Sequence, residues 1–186
     1  KTFTAAAILK LSEKNKLSLQ DTLGKFIPDI NPEYKYLTID SVLSHTSGLP
    51  DYLGAPAVSK VYDKYASIDQ VIQSISKQPL NSKPGKKYSY SNLGYVLLGV
   101  PYDQFMLNKF FKPLNMANTF VITTGTSAGE VNGYTSSRNE PQKYLPAAES
   151  TQRQWNVDRS WIYSAGAIAS TLADMSLWQN ALKSGN

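Results

Sequence analysis

The pattern of apolar and polar positions predicts two nearly all-apolar helices, one at the start of the chain and one near its middle. Residues 1–13 read KTFTAAAILKLSE and residues 94–99 read GYVLLG, so neither segment has much of a polar face. Helices of this kind are buried in the core of a domain. A Tyr-Ser-Asn triplet at residues 90–92 directly precedes the second helix. We therefore expect the triplet at the rim of a packed core, held rigidly and open to a substrate.

Capping signals predict three further helices. Thr38 is an N-cap for a short helix over residues 38–44, and Ser67 with Gln70 forms a capping box for a helix over residues 67–77. Thr171 and Asp174 cap the last helix, which a Lys-Ser-Gly sequence ends. The apolar side predicted for this last helix consists of Leu172, Met175, Trp178 and Leu182.

The remaining segments favour loops, one more helix and short strands. HTSGLPDY at residues 45–52 reads as a loop, in which Gly48 supplies a left-handed position. Residues 102–111 predict a helix, and residues 119–161 are rich in small and polar residues that favour loops and short strands. SAGAIA at residues 164–169 is a small-residue stretch where one backbone can approach another closely.

Composition excludes several classes of chemistry. The 186 residues contain no cysteine and one histidine, which rules out disulfides, thiol nucleophiles and cysteine-bound metals and disfavours a zinc site. We therefore expect no metal and no cofactor. The net charge is +5, but only Lys83, Lys86 and Lys87 cluster, and no base-reading motif accompanies them, so nucleic-acid binding is not expected. No apolar run approaches the roughly 18 residues of a membrane span.

Five segments of the chain occur in an order that one known family shares. They are KTFTAAAILKLSEKNKLSL, LTIDSVLSHTSGLPDY, PGKKYSYSNLGYVLLG, FFKPLNM and SAGAIASTLADMSLWQNAL. In this order they resemble the serine beta-lactamase-like hydrolases, which include class C beta-lactamases, D-alanyl-D-alanine carboxypeptidases, D-aminopeptidases and esterases. The resemblance covers most of the chain.

The resemblance implies where the active site lies. The family has a Ser-x-x-Lys motif at the start of a buried helix, a Tyr-x-Asn motif, and a Lys/His-x-Gly strand. Lys1 matches the lysine of the first motif, and Tyr90 and Asn92 match the second. The nucleophilic serine would lie three residues before Lys1, and the third motif beyond Asn186. We therefore expect residues 1–186 to form one incomplete catalytic domain of a bacterial protein that is exported to the periplasm, cell surface or medium.

The same resemblance implies a mixed α/β (α+β) fold of the beta-lactamase/transpeptidase-like type. It has an antiparallel sheet flanked by helices and a mainly helical lobe, to which most of these residues would belong. One departure from the family is the abrupt Val100-Pro101 join, where relatives continue the helix for two more turns. Our hypothesis is that residues are missing there, which the intact mass of the purified protein would test.

The chemistry implied for the three residues is acyl transfer. A serine hydroxyl is a weak nucleophile and needs a base beside it, and a lysine one turn along the same helix supplies that base if the amine is neutral. Tyr90 would share a proton with Lys1 and pass it to the leaving group, and Asn92 would hold a substrate amide. Which of Lys1 and Tyr90 is the principal base stays open. The expected function is a serine hydrolase that acts through an acyl-enzyme on a beta-lactam, a D-amino-acid peptide or a small ester.

Two alternatives accompany this interpretation. The first is a catalytically silent penicillin-binding-like homologue that binds peptidoglycan-type peptides or a protein partner. The second is a triad built on His45, which we disfavour because no acid partner is placed to orient that histidine. Tyr52, Trp155 and Trp161 either line a substrate cleft or cover the edge of a core. The exact substrate and the oligomeric state are not predicted.

Overall fold

The computed structural model describes residues 1–52, 64–99, 102–122, 134–136, 144–146 and 158–185. Seven α-helices are described in these ranges: α1 (Thr2–Glu13), α2 (Leu23–Phe26), α3 (Ile39–Leu43), α4 (Ile68–Ile75), α5 (Asn92–Leu98), α6 (Asp103–Met106) and α7 (Leu172–Ser184). A π-helical turn (Leu107–Phe111) follows α6, and two 3-10 turns (Arg159–Trp161 and Tyr163–Ala165) precede α7. The described strands are β1 (Phe120–Val121), β2 (Tyr134–Ser136), β3 (Tyr144–Pro146) and β4 (Ile168–Ala169).

The predicted helix caps are confirmed. The Thr38 hydroxyl accepts a hydrogen bond from the Ser41 amide at 3.2 Å at the start of α3. Ser67 and Gln70 make both hydrogen bonds of the capping box that begins α4. At its C-terminus, α7 ends at Gly185, which adopts a left-handed φ of 75°. Each cap satisfies backbone groups that a helix end leaves without partners.

Two hydrophobic cores organise the described residues. The first core lies among α2, α3, α4 and α5, and the second lies among α1, α6 and α7. Large buried members of the first core are Leu23, Tyr34, Leu49, Tyr52, Leu93 and Trp161. Large buried members of the second core are Phe3, Tyr102, Met106, Phe110, Phe111 and Trp178. In the second core Phe3 stacks on Trp178, with ring centroids 4.2 Å apart.

The 3-10 turn at Tyr163–Ala165 joins the two cores. Thr4 on α1 donates its hydroxyl to the Ser164 carbonyl at 2.6 Å, and the Ser164 hydroxyl donates to the Tyr95 carbonyl on α5 at 2.7 Å. The turn thus lies directly against the backbone of α5, as the small residues at 164–169 led us to expect. This contact requires a glycine at position 99, because a Cβ there would lie 1.9 Å from the Ser164 hydroxyl oxygen.

The strands form two antiparallel pairs. β1 pairs with β4, with Phe120 opposite Ala169, and β2 pairs with β3, with Tyr134 opposite Pro146. Helices with short antiparallel strands agree with the predicted α/β class. No helix within the described parts of the chain is long and apolar enough to cross a membrane.

The predicted apolar side of α7 is wrong for three of its four members. Trp178 is buried, but Leu172 is 90% exposed and Met175 and Leu182 are also exposed. At about 100° per residue the four predicted positions do share one side of the helix, but its centre lies about 90° from that of the buried side, and only Trp178 belongs to both. The buried stripe instead runs through Asp174, Trp178 and Ala181, the spacing of one helix face.

Two other helices differ in part from the prediction. α1 is not buried on all sides, since Leu9 is 46% exposed. The helix predicted over residues 102–111 is observed, but its second half widens into the π-helical turn. Most of the segment at residues 119–161, predicted to form loops and short strands, lies outside the described residues, as does the Val100-Pro101 join.

Candidate active site

The start of α5 positions the polar triplet. Ser91 is the N-cap of this helix: its hydroxyl accepts from the Gly94 amide at 3.3 Å and donates to the Pro50 carbonyl at 2.8 Å. Because Ser91 is buried and bonded on both sides, its two neighbours are held in place. Tyr90 stands outside the cap and is 49% exposed, whereas Asn92 is the first residue of the helix and half-buried.

The Lys1 amine reaches this triplet from the start of α1. Its Nζ donates to Asn92 Oδ1 at 2.6 Å and to the Ala165 carbonyl at 2.8 Å. The same Nζ lies 4.8 Å from the centroid of the Tyr90 ring and 5.3 Å from that of the Tyr95 ring. The structure therefore brings Lys1, Tyr90 and Asn92, which lie far apart in the sequence, into one constellation.

Asn92 is the centre of this constellation. The Tyr90 hydroxyl donates to Asn92 Oδ1 at 3.5 Å, the same oxygen that accepts from Lys1. Among the described residues, the Lys1 amine makes no direct hydrogen bond to the Tyr90 hydroxyl; its contact with this side chain is with the ring face. The predicted proton shared between Lys1 and Tyr90 is therefore not observed as a direct hydrogen bond in the described structure; instead, both groups donate to Asn92 Oδ1.

Asp51 is a member of the site that the sequence analysis missed. Its carboxylate accepts from the Asn92 side-chain amide nitrogen at 3.2 and 3.3 Å and from the Asn92 backbone N–H at 3.3 Å. Asp51 directly follows the segment HTSGLP, for which we predicted a loop but no catalytic or binding role. One signal in the sequence could have pointed to Asp51: it is an acidic residue within LTIDSVLSHTSGLPDY, one of the five segments on which the family resemblance rests.

His45 also lies at the site, although not as part of a triad. Its Nδ1 accepts from the Ser91 backbone N–H at 3.2 Å, and its ring packs beside those of Tyr90 and Tyr95, with centroids 4.7 and 5.0 Å away. Burial lowers the pKa of His45, and the Lys1 charge lowers it further, while Asp51 opposes the shift. A neutral imidazole that accepts at Nδ1 supports the backbone of the triplet.

The proposed cleft-lining aromatics have other roles where the structure describes them. Tyr52 and Trp161 are buried in the first core, and the Tyr52 hydroxyl donates to the Trp161 carbonyl. Of the two alternatives for these residues, the core position is therefore the one observed for Tyr52 and Trp161. Trp155 lies outside the described residues. Within the described residues, no group of three or more histidine, aspartate or glutamate side chains could hold a metal ion.

A family model for the beta-lactamases matches residues 1–186. The chain belongs to the beta-lactamase family. The protein flp of Staphylococcus aureus (strain N315) is 34% identical over 148 residues, which cover 72% of this chain and 29% of that protein. PbpX of Bacillus subtilis (strain 168), whose name places it with the penicillin-binding proteins, is 30% identical over 193 residues, covering 100% of this chain and 45% of PbpX.

The solved structures support the fold of this beta-lactamase family chain. The D-amino acid amidase from Ochrobactrum anthropi SV3 complexed with D-phenylalanine superposes with a TM-score of 0.80 at 25% identity. The match covers 98% of this chain and 54% of the amidase. The predicted beta-lactamase-like α/β fold and the family resemblance are thus confirmed. Relatives in the family are serine hydrolases. The chain spans about half the length of the amidase and less than half the length of flp and PbpX.

Proposed function

We propose that this protein is a serine hydrolase that forms an acyl-enzyme on an amide or ester. Lys1 and Tyr90 would move protons in this reaction, and Asn92 would orient Lys1 and bind substrate. The observation that carries the proposal is the pair of hydrogen bonds from Lys1 Nζ, to Asn92 Oδ1 at 2.6 Å and to the Ala165 carbonyl at 2.8 Å.

A neutral lysine amine can make both hydrogen bonds of Lys1 Nζ. A neutral amine has two N–H bonds and one lone pair, whereas the ammonium form has three donors and no acceptor. With both N–H bonds directed at Asn92 and Ala165, the lone pair of a neutral Lys1 is free to take a proton. This arrangement supports a role as general base toward a serine hydroxyl on the same helix face.

In the proposed reaction, the serine oxygen bonds to the substrate carbonyl carbon while its proton moves to Lys1 Nζ. The tetrahedral intermediate then collapses, and the bond to the leaving nitrogen or oxygen breaks. The Tyr90 hydroxyl protonates that leaving group, and the proton held by Lys1 then restores the Tyr90 hydroxyl by way of water, since the two groups share no direct hydrogen bond in the described structure. Water repeats the sequence on the acyl-enzyme and releases the acid. Half of the Tyr90 side chain is exposed, so a leaving group can reach its hydroxyl.

The substrates proposed are those with a D-configured amide or a similar small acyl group, as in beta-lactams, D-amino-acid peptides and small esters. Support for this class comes from the similarity to the D-amino acid amidase, whose structure was solved with D-phenylalanine.

The test is covalent labelling of the full-length protein. We expect benzylpenicillin or a fluorophosphonate to add one acyl or phosphonyl group to a serine, as read by intact mass and peptide mapping. Replacing Lys1 by alanine is expected to slow labelling by about 10²–10⁴-fold, the usual contribution of a general base. Tyr90→Phe is expected to slow release of the leaving group and turnover by more than it slows phosphonylation.

Matched controls separate this chemistry from loss of a surface side chain. Lys16→Ala removes an exposed lysine after α1, and Tyr36→Phe removes the hydroxyl of a tyrosine that is 83% exposed. Both controls should label and turn over like the parent protein. Absence of any adduct, together with retained binding of a D-amino-acid peptide, would instead support the catalytically silent homologue.

A further inference from the structure

The Asp51 carboxylate lies on the opposite side of Asn92 from the Lys1 amine. We propose that Asp51 is a positioning residue that holds the Asn92 side-chain amide in the one orientation in which its oxygen faces Lys1. This inference rests on the proposed function. It assigns a role to a side chain that lies within hydrogen-bond distance of Asn92 at three atom pairs.

The partners of Asn92 define a single orientation of its amide. One end of the side chain is an acceptor oxygen and the other carries two N–H donors. A carboxylate can only accept hydrogen bonds, so Asp51 must face the nitrogen, which lies 3.2 Å from Oδ2 and 3.3 Å from Oδ1. The oxygen then faces Lys1 Nζ at 2.6 Å. The contacts with Asp51 and with Lys1 require the same orientation of the Asn92 amide, so exchanging its oxygen and nitrogen would break the hydrogen bonds to both residues.

A reversed amide would spoil the site in either protonation state of the lysine. Toward an ammonium form, the Asn92 nitrogen would place donor against donor. Toward a neutral amine, an Asn92 N–H would occupy the lone pair that must take the serine proton. The carboxylate of Asp51 therefore protects the basic lone pair of Lys1 through a side chain that lies between them.

Asp51 is itself held in place by its neighbours. The Pro50 carbonyl before it accepts from the buried Ser91 hydroxyl at 2.8 Å, and Tyr52 after it is fully buried in the first core. Asp51 is exposed, so its side chain adds little to packing. An exposed carboxylate fixed between two buried residues is suited to orienting a neighbour rather than to filling a core.

The first experiment compares Asp51→Asn with Asp29→Asn, which neutralises another exposed aspartate. Asp51→Asn keeps the size of the side chain but presents a donor group as well as an acceptor. In the full-length protein we expect the rate constant for acylation by benzylpenicillin to fall at least tenfold. The non-covalent affinity and the urea midpoint should stay close to those of Asp29→Asn. Asp51→Glu, which keeps the carboxylate, should recover part of the rate.

The second experiment reads the orientation of Asn92 without using activity. The side-chain amide protons of Asn92, assigned by their loss in Asn92→Ala, should give two well-separated NMR signals, because one proton faces a carboxylate. In Asp51→Asn the separation should shrink, while Asp29→Asn should leave it unchanged. This measurement remains informative when the protein does not acylate.

The outcomes separate this inference from the proposed function. If the parent protein does not acylate but the Asn92 signals respond to Asp51→Asn, the proposed function fails and the positioning role stands. If the parent acylates and Asp51→Asn matches it in rate and in the Asn92 signals, the positioning role is wrong. Loss of rate that only follows loss of folded protein would also overturn it, since that result describes a purely structural residue.

Discussion

Replacing Gly99 by alanine is predicted to destabilise the protein through one identifiable clash. The backbone of Gly99 has φ −102° and ψ 28°, which other residues also adopt, so the substitution brings little backbone strain. A Cβ at this position would lie 1.9 Å from the Ser164 hydroxyl oxygen and 2.0 Å from the Ser164 Cβ. Real atoms do not approach so closely, and Ser164 is buried and cannot turn outward.

The expected cost follows from the two interactions that the clash disturbs. Overpacking a closely packed interior costs about 1–3 kcal/mol. The displaced Ser164 also loses its hydrogen bond to the Tyr95 carbonyl, now 2.7 Å long, which costs about 0.5–1.5 kcal/mol. We therefore expect Gly99→Ala to lower the free energy of unfolding by about 2–4 kcal/mol.

A double-mutant cycle with Ser164→Gly tests this reasoning. Once the serine side chain is removed, the nearest of the three atoms facing the new Cβ is the Cα of residue 164 at 3.5 Å, an ordinary contact. In that background Gly99→Ala should cost less than about 1 kcal/mol, so the coupling energy is about 1–3 kcal/mol. Urea denaturation of the four proteins measures it. Equal costs of Gly99→Ala in both backgrounds would refute the steric explanation.

Three further predictions concern single contacts. Gly48→Ala should lower the free energy of unfolding by about 2–5 kcal/mol, because φ is +80° and the new Cβ would lie 2.1 Å from a carbonyl oxygen. Gly85→Ala is the control: φ is +74°, but no atom lies within 4 Å of the new Cβ, so urea unfolding should show a cost of only about 1–2 kcal/mol. Asp174→Ala removes the acceptor of the Asn118 backbone N–H and one of two partners of the Thr119 hydroxyl, which keeps its contact with the Ser170 hydroxyl. It should lower the melting temperature, at a cost of about 1–3 kcal/mol. His45 has a pKa below its unfolded value of 6.5, so the unfolded chain binds a proton first as the pH falls. Stability should therefore decrease from pH 6.5 down to the folded-state pKa, at which the native imidazole is also protonated and can no longer accept from the Ser91 N–H. A pH titration of unfolding should show this decrease in the parent and less of it in His45→Gln; an identical pH dependence in both would contradict the assignment.

The features that could be predicted from the sequence are those whose causes lie within a few residues. Thr38, Ser67 and Gly185 act on backbone groups in the adjacent helical turn, so the residue type and its place before or after an apolar stretch were sufficient. The members of the candidate site came from the family resemblance instead, because Lys1 and Asn92 are brought together only by the fold.

The features that could not be predicted depend on contacts between distant segments. Asp51 lies 41 positions from Asn92, and no periodicity links a loop carboxylate to the first residue of a helix. Loop contacts create that proximity: the Ser89 amide donates to the His45 carbonyl at 2.8 Å. The buried side of α7 also depends on a distant segment, since the buried Asp174 accepts from the Thr119 hydroxyl, 55 positions away, at 2.7 Å.

The candidate site is most sensitive to the contact between the two cores. Lys1 precedes a helix of the second core, Asn92 begins a helix of the first, and Ala165 belongs to the turn that is bonded to both. A small displacement of one core relative to the other therefore changes both hydrogen bonds of the Lys1 amine at once. Since a misplacement of about 1 Å can reduce a rate by about 10²-fold, substitutions such as Gly99→Ala should impair acylation under conditions in which the protein is still folded. Restoration of the rate by Ser164→Gly would show that the geometry of this contact, and not overall stability, controls the amine.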